Sequence, residues 1–108
     1  METTNEIVVI FCTIPAAESE AMARALVKNR LVACVNVVPG HSYYRWNGEF
    51  CSELEHLLIA KTKESMKTEV IAAIRQLHSY EVPEIIAVPV IAGHIPYLEW
   101  VHQETQKS

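Results

Sequence analysis

A chain of 108 residues, half of them hydrophobic and 20% charged, has room for a single domain (1–108) with one core and lacks the composition of a disordered segment. Its formal net charge is −4, its acidic residues are all Glu, and it has no run of basic residues, which argues against nucleic acid as a partner. No apolar stretch approaches the roughly 20 residues that cross a bilayer, so no membrane partner is expected.

The first predicted element is a strand, because residues 7–13 form a run rich in β-branched side chains. Pro15 suits the first turn of a helix, with Thr13 as its candidate N-cap, and apolar residues at helical spacing continue that helix to Leu26. The preceding residues, 1–6, are polar and acidic and lack the basic and apolar regions of a signal peptide. We therefore expect a cytoplasmic protein whose three cysteines are reduced thiols.

A long hairpin is predicted next. Residues 31–46 form its first strand, and residues 49 to about 62 form the second. Asn47 and Gly48 stand between them, and this pair favours a hairpin turn because both residues accept the positive φ that a type I′ turn requires.

The last third of the chain predicts a helix, a strand and a short helical piece. Apolar residues at helical spacing indicate a second helix over 66–78. A fourth strand is expected over 85–92, closed by Gly93, and residues 97–101 predict a single helical turn.

The order of elements, β-α-β-β-α-β, predicts an α+β domain with the ferredoxin-like arrangement. In this fold two helices cover one face of a four-stranded antiparallel sheet, and a short C-terminal element would follow. Two prolines support the strand order, because Pro39 and Pro89 fall in the second and fourth strands. Proline is tolerated in edge strands, and these two strands are the expected edges.

The opposite face of the sheet is also predicted to be apolar. A sheet with one wet face alternates apolar and polar residues, but 7–12, 57–60 and 85–88 are continuously apolar. Two helices on one side leave the other side uncovered, and a monomer rarely exposes an apolar patch of several hundred Å². We expect self-association to cover it; irregular patterning over short strands is the alternative.

Motifs for catalysis are absent from the sequence. It has no P-loop, no nucleophile elbow and no G-x-G-x-x-G, and its three glycines leave little scope for a phosphate-binding loop. Strand one is followed by Thr13 to Ala16 without an Arg, unlike an acylphosphatase, and strand three lacks the aromatic residues of an RNA-binding sheet. We therefore predict that the protein is not an enzyme and needs no organic cofactor.

Five His and three Cys provide possible metal ligands, although no pair has the spacing of a helical metal site. Cys12 ends the first strand and His78 ends the second helix, and a thiolate with an imidazole suits copper or zinc. A lone Cys in an apolar strand is also commonly a buried hydrophobic residue, and both interpretations stay open here.

Charged residues interrupt the apolar face of the third strand. Glu55 and Lys61 have the same odd-numbered parity as Leu57 and Ile59 and share their face. Buried charges need partners, so Glu55 and Lys61 either pair across a subunit interface or line a polar cleft. Trp46 and Tyr80 are candidates for the wall of such a cleft, with core aromatic residues as the alternative.

Six segments of the sequence together resemble the CutA family, the divalent-cation tolerance proteins. The matching segments, in order, are CTIP at 12–15, LVACVN at 31–36, SYYRW at 42–46, EHLLIAKT at 55–62, HSYEVPE at 78–84 and YLEW at 97–100. They extend from the first strand to the last Trp, and their order and spacing are highly specific.

The resemblance implies a cytoplasmic homotrimer with its sheets packed around the threefold axis, and a role in tolerance to copper and other divalent cations. The resemblance also implies that Cys12 and His78 bind Cu²⁺ or another divalent cation. Some members carry a second, adjacent His, but this chain has Leu77 there.

The implied trimer is also similar to that of the nitrogen-regulatory signalling proteins, which bind small effectors in clefts between subunits. By that analogy Trp46, Glu55, Lys61, Tyr80 and Glu84 line an inter-subunit pocket. A signalling or scaffold trimer that binds a small ligand or a partner protein is therefore the alternative function. Fold alone does not decide between them.

Overall fold

The computed structural model describes residues 6–105, which form a single four-stranded antiparallel sheet with helices on both sides. The sheet order is β2-β3-β1-β4, so the two proline-containing strands are the edges and the ferredoxin-like prediction is confirmed. The elements are β1 (Ile7–Ile14), α1 (Ala16–Lys28), β2 (Cys34–Trp46), β3 (Glu49–Lys63), a 3-10 turn (Glu64–Met66), α2 (Lys67–Leu77), β4 (Ile85–Pro89) and α3 (Ile95–Glu104). The expectation that the chain has no signal peptide rests on residues 1–6, and residues 1–5 of that segment lie outside the described residues.

The beginning of α1 differs from the prediction. Pro15 itself is the N-cap residue, and no side chain caps the helix. Thr13 instead lies in β1, and its hydroxyl donates to Glu84 Oε1 at 3.3 Å. The predicted capping role of Thr13 is therefore wrong, because its side chain projects from the sheet face opposite α1.

Three other boundaries differ from the prediction. β2 starts at Cys34 because the N–H groups of Leu31 and Val32 bond back to the Leu26 carbonyl and complete the end of α1. β4 ends at Pro89 and not at residue 92: the Val90 N–H still donates to the Ile7 carbonyl, but Ile7 is the first residue of β1. The predicted C-terminal turn is the ten-residue helix α3.

The main core lies between the sheet and the two helices α1 and α2. Even-numbered residues of β1 and β3, such as Ile10 and Leu58, pack there against Leu26 of α1 and Ile74 of α2. Cys12 has the same parity and belongs to this core.

Odd-numbered residues of β1 and β3 point to the other side, called here the open face. One end of it is covered by α3, where Leu98 and Val101 form a second cluster with Ile7 and Ala33. The remainder stays accessible in the single chain and is mainly apolar. Its apolar members are Val9, Phe11, Val38, Leu57, Ile59, Ile86 and Val88.

The β2–β3 hairpin extends beyond the rest of the sheet. Pairing between β1 and β3 stops at Ile14 and His56, so residues 40–46 and 49–55 pair only with each other and form a two-stranded segment, called here the arm. Its turn is formed by Asn47 at φ 53° and Gly48 at φ 80°, as the sequence predicts.

Candidate functional site

A cleft of about 650 Å³ lies where the arm leaves the sheet. The arm, the end of β1 and the loop between α2 and β4 all contribute to it. Four aromatic residues line it (Tyr43, Tyr44, Trp46 and Tyr80), together with three acidic ones (Glu55, Glu81 and Glu84) and with Thr13, Ser42, Ser79 and Val82. Four of the five cleft residues expected from the sequence, all except Lys61, therefore lie around one cavity.

Glu55 and Tyr80 are joined by a hydrogen bond inside this cleft. Only 5% of Glu55 is exposed, and its Oε2 accepts the Tyr80 hydroxyl at 2.5 Å. Burial and this carboxylate both raise the pKa of Tyr80 above its usual value, so the phenol stays protonated and remains a donor. The bond links the base of the arm to the α2–β4 loop and fixes the position of both side chains.

Lys61 lies on the same face as Glu55 but outside the cleft. Its ammonium group donates to Asn36 Oδ1 and lies 3.6 Å from Cys34 Sγ, which in turn is 3.8 Å from the Tyr97 hydroxyl. Burial, followed by the contact with Cys34, raises the pKa of Tyr97 to about 12. Lys61 thus belongs to a separate polar cluster near α3.

The two proposed metal ligands meet at one backbone atom. The Thr13 carbonyl oxygen accepts His78 Nε2–H at 2.8 Å and lies 3.5 Å from Cys12 Sγ. The structure therefore brings Cys12 and His78 to the same carbonyl, although 65 positions separate Thr13 from His78 in the chain.

His78 uses both ring nitrogens within the protein. Nδ1 accepts the backbone N–H of Tyr80 at 3.1 Å, so in the neutral ring the proton sits on Nε2, which donates to the Thr13 carbonyl. This tautomer follows from the two bonds and leaves no free lone pair for a metal ion. In the described chain the imidazole holds the α2–β4 loop against β1.

The Cys12 thiol is held in its neutral form. Burial, and then the carboxylates of Glu84 and Glu55, raise its pKa from 9.0 to about 12. A metal ion binds the thiolate, so capture of an ion by Cys12 would require loss of this proton. Cys12 and His78 could therefore bind a metal ion only after the thiol loses its proton and the imidazole releases a hydrogen bond, and within residues 6–105 no three His, Cys or acidic side chains cluster to hold one.

The raised pKa of Cys12 predicts loss of stability at high pH. The folded state retains the thiol proton after the unfolded chain has lost it. The contribution of this thiol to the free energy of unfolding is therefore complete below pH 9 and is lost as the pH rises toward 12. One such group contributes up to about 1.4 kcal/mol per pH unit. Urea unfolding at pH 8, 9.5 and 10.5 should give a shallower decline for Cys12→Val than for the parent, and equal slopes would contradict the assignment.

Several cleft residues were not predicted from the sequence. Tyr44 pairs with Cys51 and lies on the same face of the arm as Trp46, so strand parity alone would have identified it. Ser79 and Glu81 could not be found in this way, because they lie in an irregular loop whose path is set by the His78 and Tyr80 contacts.

Known proteins match the chain over nearly its full length. Residues 8–104 match the family model described as CutA1 divalent ion tolerance protein. Protein CutA 1, chloroplastic, of Oryza sativa is 39% identical over 98% of this chain and 61% of its own length. The divalent-cation tolerance protein CutA of Thermus thermophilus is 42% identical over 90% of this chain and 96% of its own length.

Solved structures give the same result. The crystal structure of CutA1 from Oryza sativa superposes with a TM-score of 0.92 at 38% identity, covering 99% of this chain and all of that one. The PII-like protein CutA from Nostoc sp. PCC 7120 superposes with a TM-score of 0.89 at 37% identity over 92% of this chain and 97% of its own.

The share of the relatives' length that the chain covers differs between groups. It spans 61% of the rice protein and 56% of the Arabidopsis thaliana one, but 96% of the Thermus thermophilus protein. Among residues 6–105 none of the helices has the length and hydrophobicity needed to cross a membrane. The matching family model, the 42% sequence identity to the Thermus thermophilus protein and the matching fold together show that the chain belongs to the CutA1 divalent ion tolerance protein family.

Proposed function

We propose that this protein is a cytoplasmic, non-enzymatic homotrimer of one domain per chain that contributes to divalent-cation tolerance by binding Cu²⁺ or a similar ion. The proposed self-association rests on the open face, where apolar side chains of all four strands stay accessible in the single chain. A second copy of the same surface is the simplest cover, because each subunit then removes its own patch from water. The trimeric number is the one that the family resemblance implies.

Two features support these proposals. The arm carries Phe50 and Leu54, which are 72% and 75% exposed, and a two-stranded hairpin is marginally stable alone, so packing against a neighbouring subunit would stabilise it. The three cysteines are free, which suits a reducing compartment such as the cytoplasm. Light scattering on the intact protein tests the trimer: the expected mass is three times 12.2 kDa, and a mass of one chain would contradict it.

Copper binding by Cys12 and His78 is the first candidate for the metal function. What favours it is the convergence of both side chains on the Thr13 carbonyl oxygen, which puts a soft sulfur and a borderline nitrogen close together. Binding would require the thiol to lose its proton and His78 to release one of its two hydrogen bonds. The ion would thus compete with the contact that secures the α2–β4 loop.

A copper titration tests this candidate. We expect one Cu²⁺ per chain, with at least a tenfold loss of affinity in the Cys12→Ser variant, because the thiolate supplies the strongest ligand. Cys51→Ser is the matched control, since Cys51 is a half-buried free thiol on the arm, away from the Thr13 carbonyl. Calorimetry under argon should give parent-like binding for this control. Equal stoichiometry and affinity in Cys12→Ser, His78→Ala and the parent would contradict the assignment.

Binding of a small ligand in the cleft is the second candidate function. Its volume of about 650 Å³ lies within the range of small-molecule sites, and its lining combines aromatic walls with a few polar groups. Glu55, Thr13 and Tyr44 belong to the open-face side of their strands, so the cleft borders the surface that a neighbouring subunit would cover. Ligand binding in this cleft would therefore alter the contacts between subunits.

A further inference from the structure

We propose that the cleft binds an organic cation with two separated ammonium groups, of the class of aliphatic diamines. The inference rests on the second candidate function, ligand binding in this cleft, and specifies the chemistry of the ligand. Three observations carry it: the sign of the charge in the cleft, the lack of a metal-ligating group of side chains among the described residues, and the aromatic walls of the cleft.

The charged side chains that line the cleft are all acidic. Glu55, Glu81 and Glu84 supply three carboxylates, whereas no Lys, Arg or His is among the lining residues. Glu55 is 5% exposed and forms no ion pair within residues 6–105, where the Tyr80 hydroxyl is its one hydrogen-bond donor. A buried carboxylate is costly without a cationic partner. A bound cation would supply the partner that the described chain lacks.

The arrangement of the carboxylates disfavours a single metal ion. They border one cavity, yet no three acidic, His or Cys side chains in the described part of the chain are close enough together to coordinate an ion. A divalent metal ion needs several ligands at about 2–2.6 Å from one point. Two ammonium groups joined by a carbon chain do not need ligands that converge on one point, because each can meet a different carboxylate of the cleft.

The aromatic walls suit the rest of such a ligand. Trp46 and Tyr44 come from the arm and Tyr80 from the α2–β4 loop. Aromatic faces attract an ammonium group through their quadrupole and also pack against methylene groups. A cavity of about 650 Å³ is far larger than a bare ion requires and has room for an aliphatic chain.

Calorimetry with 1,4-diaminobutane tests the proposal on the intact protein at low ionic strength. We expect one diamine per chain, and n-butylamine, with one charge, should bind at least tenfold more weakly. Glu55→Gln keeps the shape and the Tyr80 contact but removes the charge, and it should weaken diamine binding at least tenfold. Glu20→Gln is the matched control, because Glu20 is exposed on α1 and paired with Arg24. It should bind like the parent.

Three results would overturn the proposal: no diamine binding at millimolar concentration, equal affinity in Glu55→Gln, or binding of Mg²⁺ at the same site as tightly as the diamine. If Glu55→Gln changes the oligomeric mass, Glu84→Gln, whose side chain is exposed, replaces it with the same expected loss. Mass and copper binding are measured on the same preparations. An oligomer that binds copper but no diamine therefore refutes this inference alone, whereas a monomer refutes the proposed assembly.

Discussion

The substitution Ile86→Glu is expected to convert the proposed trimer into a folded monomer of 12.2 kDa. Ile86 lies on the edge strand β4, faces Phe11 on the open face and is 52% exposed in the single chain. A lone chain can therefore solvate a carboxylate at this position. In an assembly that covers the open face, every copy would bury the new charge without a partner, which costs several kcal/mol per subunit.

Light scattering at micromolar concentration measures this change, and circular dichroism checks that the monomer remains folded. Val27→Glu is the matched control, since Val27 is 41% exposed but lies on α1, behind the other face of the sheet. It should keep the parent mass. An Ile86→Glu protein with the parent mass would show that β4 lies outside the subunit interface.

The His78→Ala substitution should lower the free energy of unfolding by about 2–4 kcal/mol in the absence of any metal. It removes a hydrogen-bond partner from each of two backbone groups, the Thr13 carbonyl and the Tyr80 N–H, and also removes a buried ring that packs 4.8 Å from the ring of Tyr80. Because the same ring anchors the α2–β4 loop, the substitution should also loosen the bond between Tyr80 and Glu55 in the cleft.

Urea unfolding of chelator-treated protein at fixed concentration measures the effect of this substitution. His94→Ala is the control, because His94 is exposed and its side chain does not cap α3, so it should change stability by less than about 0.5 kcal/mol. If His78→Ala is as stable as the parent without metal and differs only when Cu²⁺ is present, His78 acts as a ligand and the structural role assigned to its two hydrogen bonds is wrong.

The two roles of His78 make opposite demands on the same atoms. As a loop anchor, it is neutral and donates from Nε2; as a metal ligand, it must present a lone pair. If His78 binds an ion as proposed, ion capture would be coupled to movement of the cleft lining, since the His78 ring accepts the backbone N–H of Tyr80, a residue that lines the cleft. Copper binding and loss of the Tyr80–Glu55 bond should then occur together.

Much of the fold was predictable from local chemistry. Side chains point alternately to the two faces of a strand, prolines such as Pro39 and Pro89 favour sheet edges, and Asn47-Gly48 favours a tight turn; all three effects follow from covalent geometry or steric limits that do not depend on distant contacts. The same alternation correctly placed Glu55 and Lys61 on one face. The assignment to the CutA family also required only the sequence.

Tertiary structure decided which of the site residues meet. Sharing a face did not bring Lys61 to Glu55, because six positions along an extended strand correspond to about 20 Å, and Lys61 joined the Asn36 cluster instead. Tyr80 and Glu84 reach the cleft through an irregular loop that no periodic pattern describes. The neutral tautomer of His78 and the raised pKa of Cys12 likewise depend on backbone and carboxylate groups that only the folded chain brings near them. Periodicity specifies the face of a residue, whereas position along the strand and the path of a loop determine its neighbours.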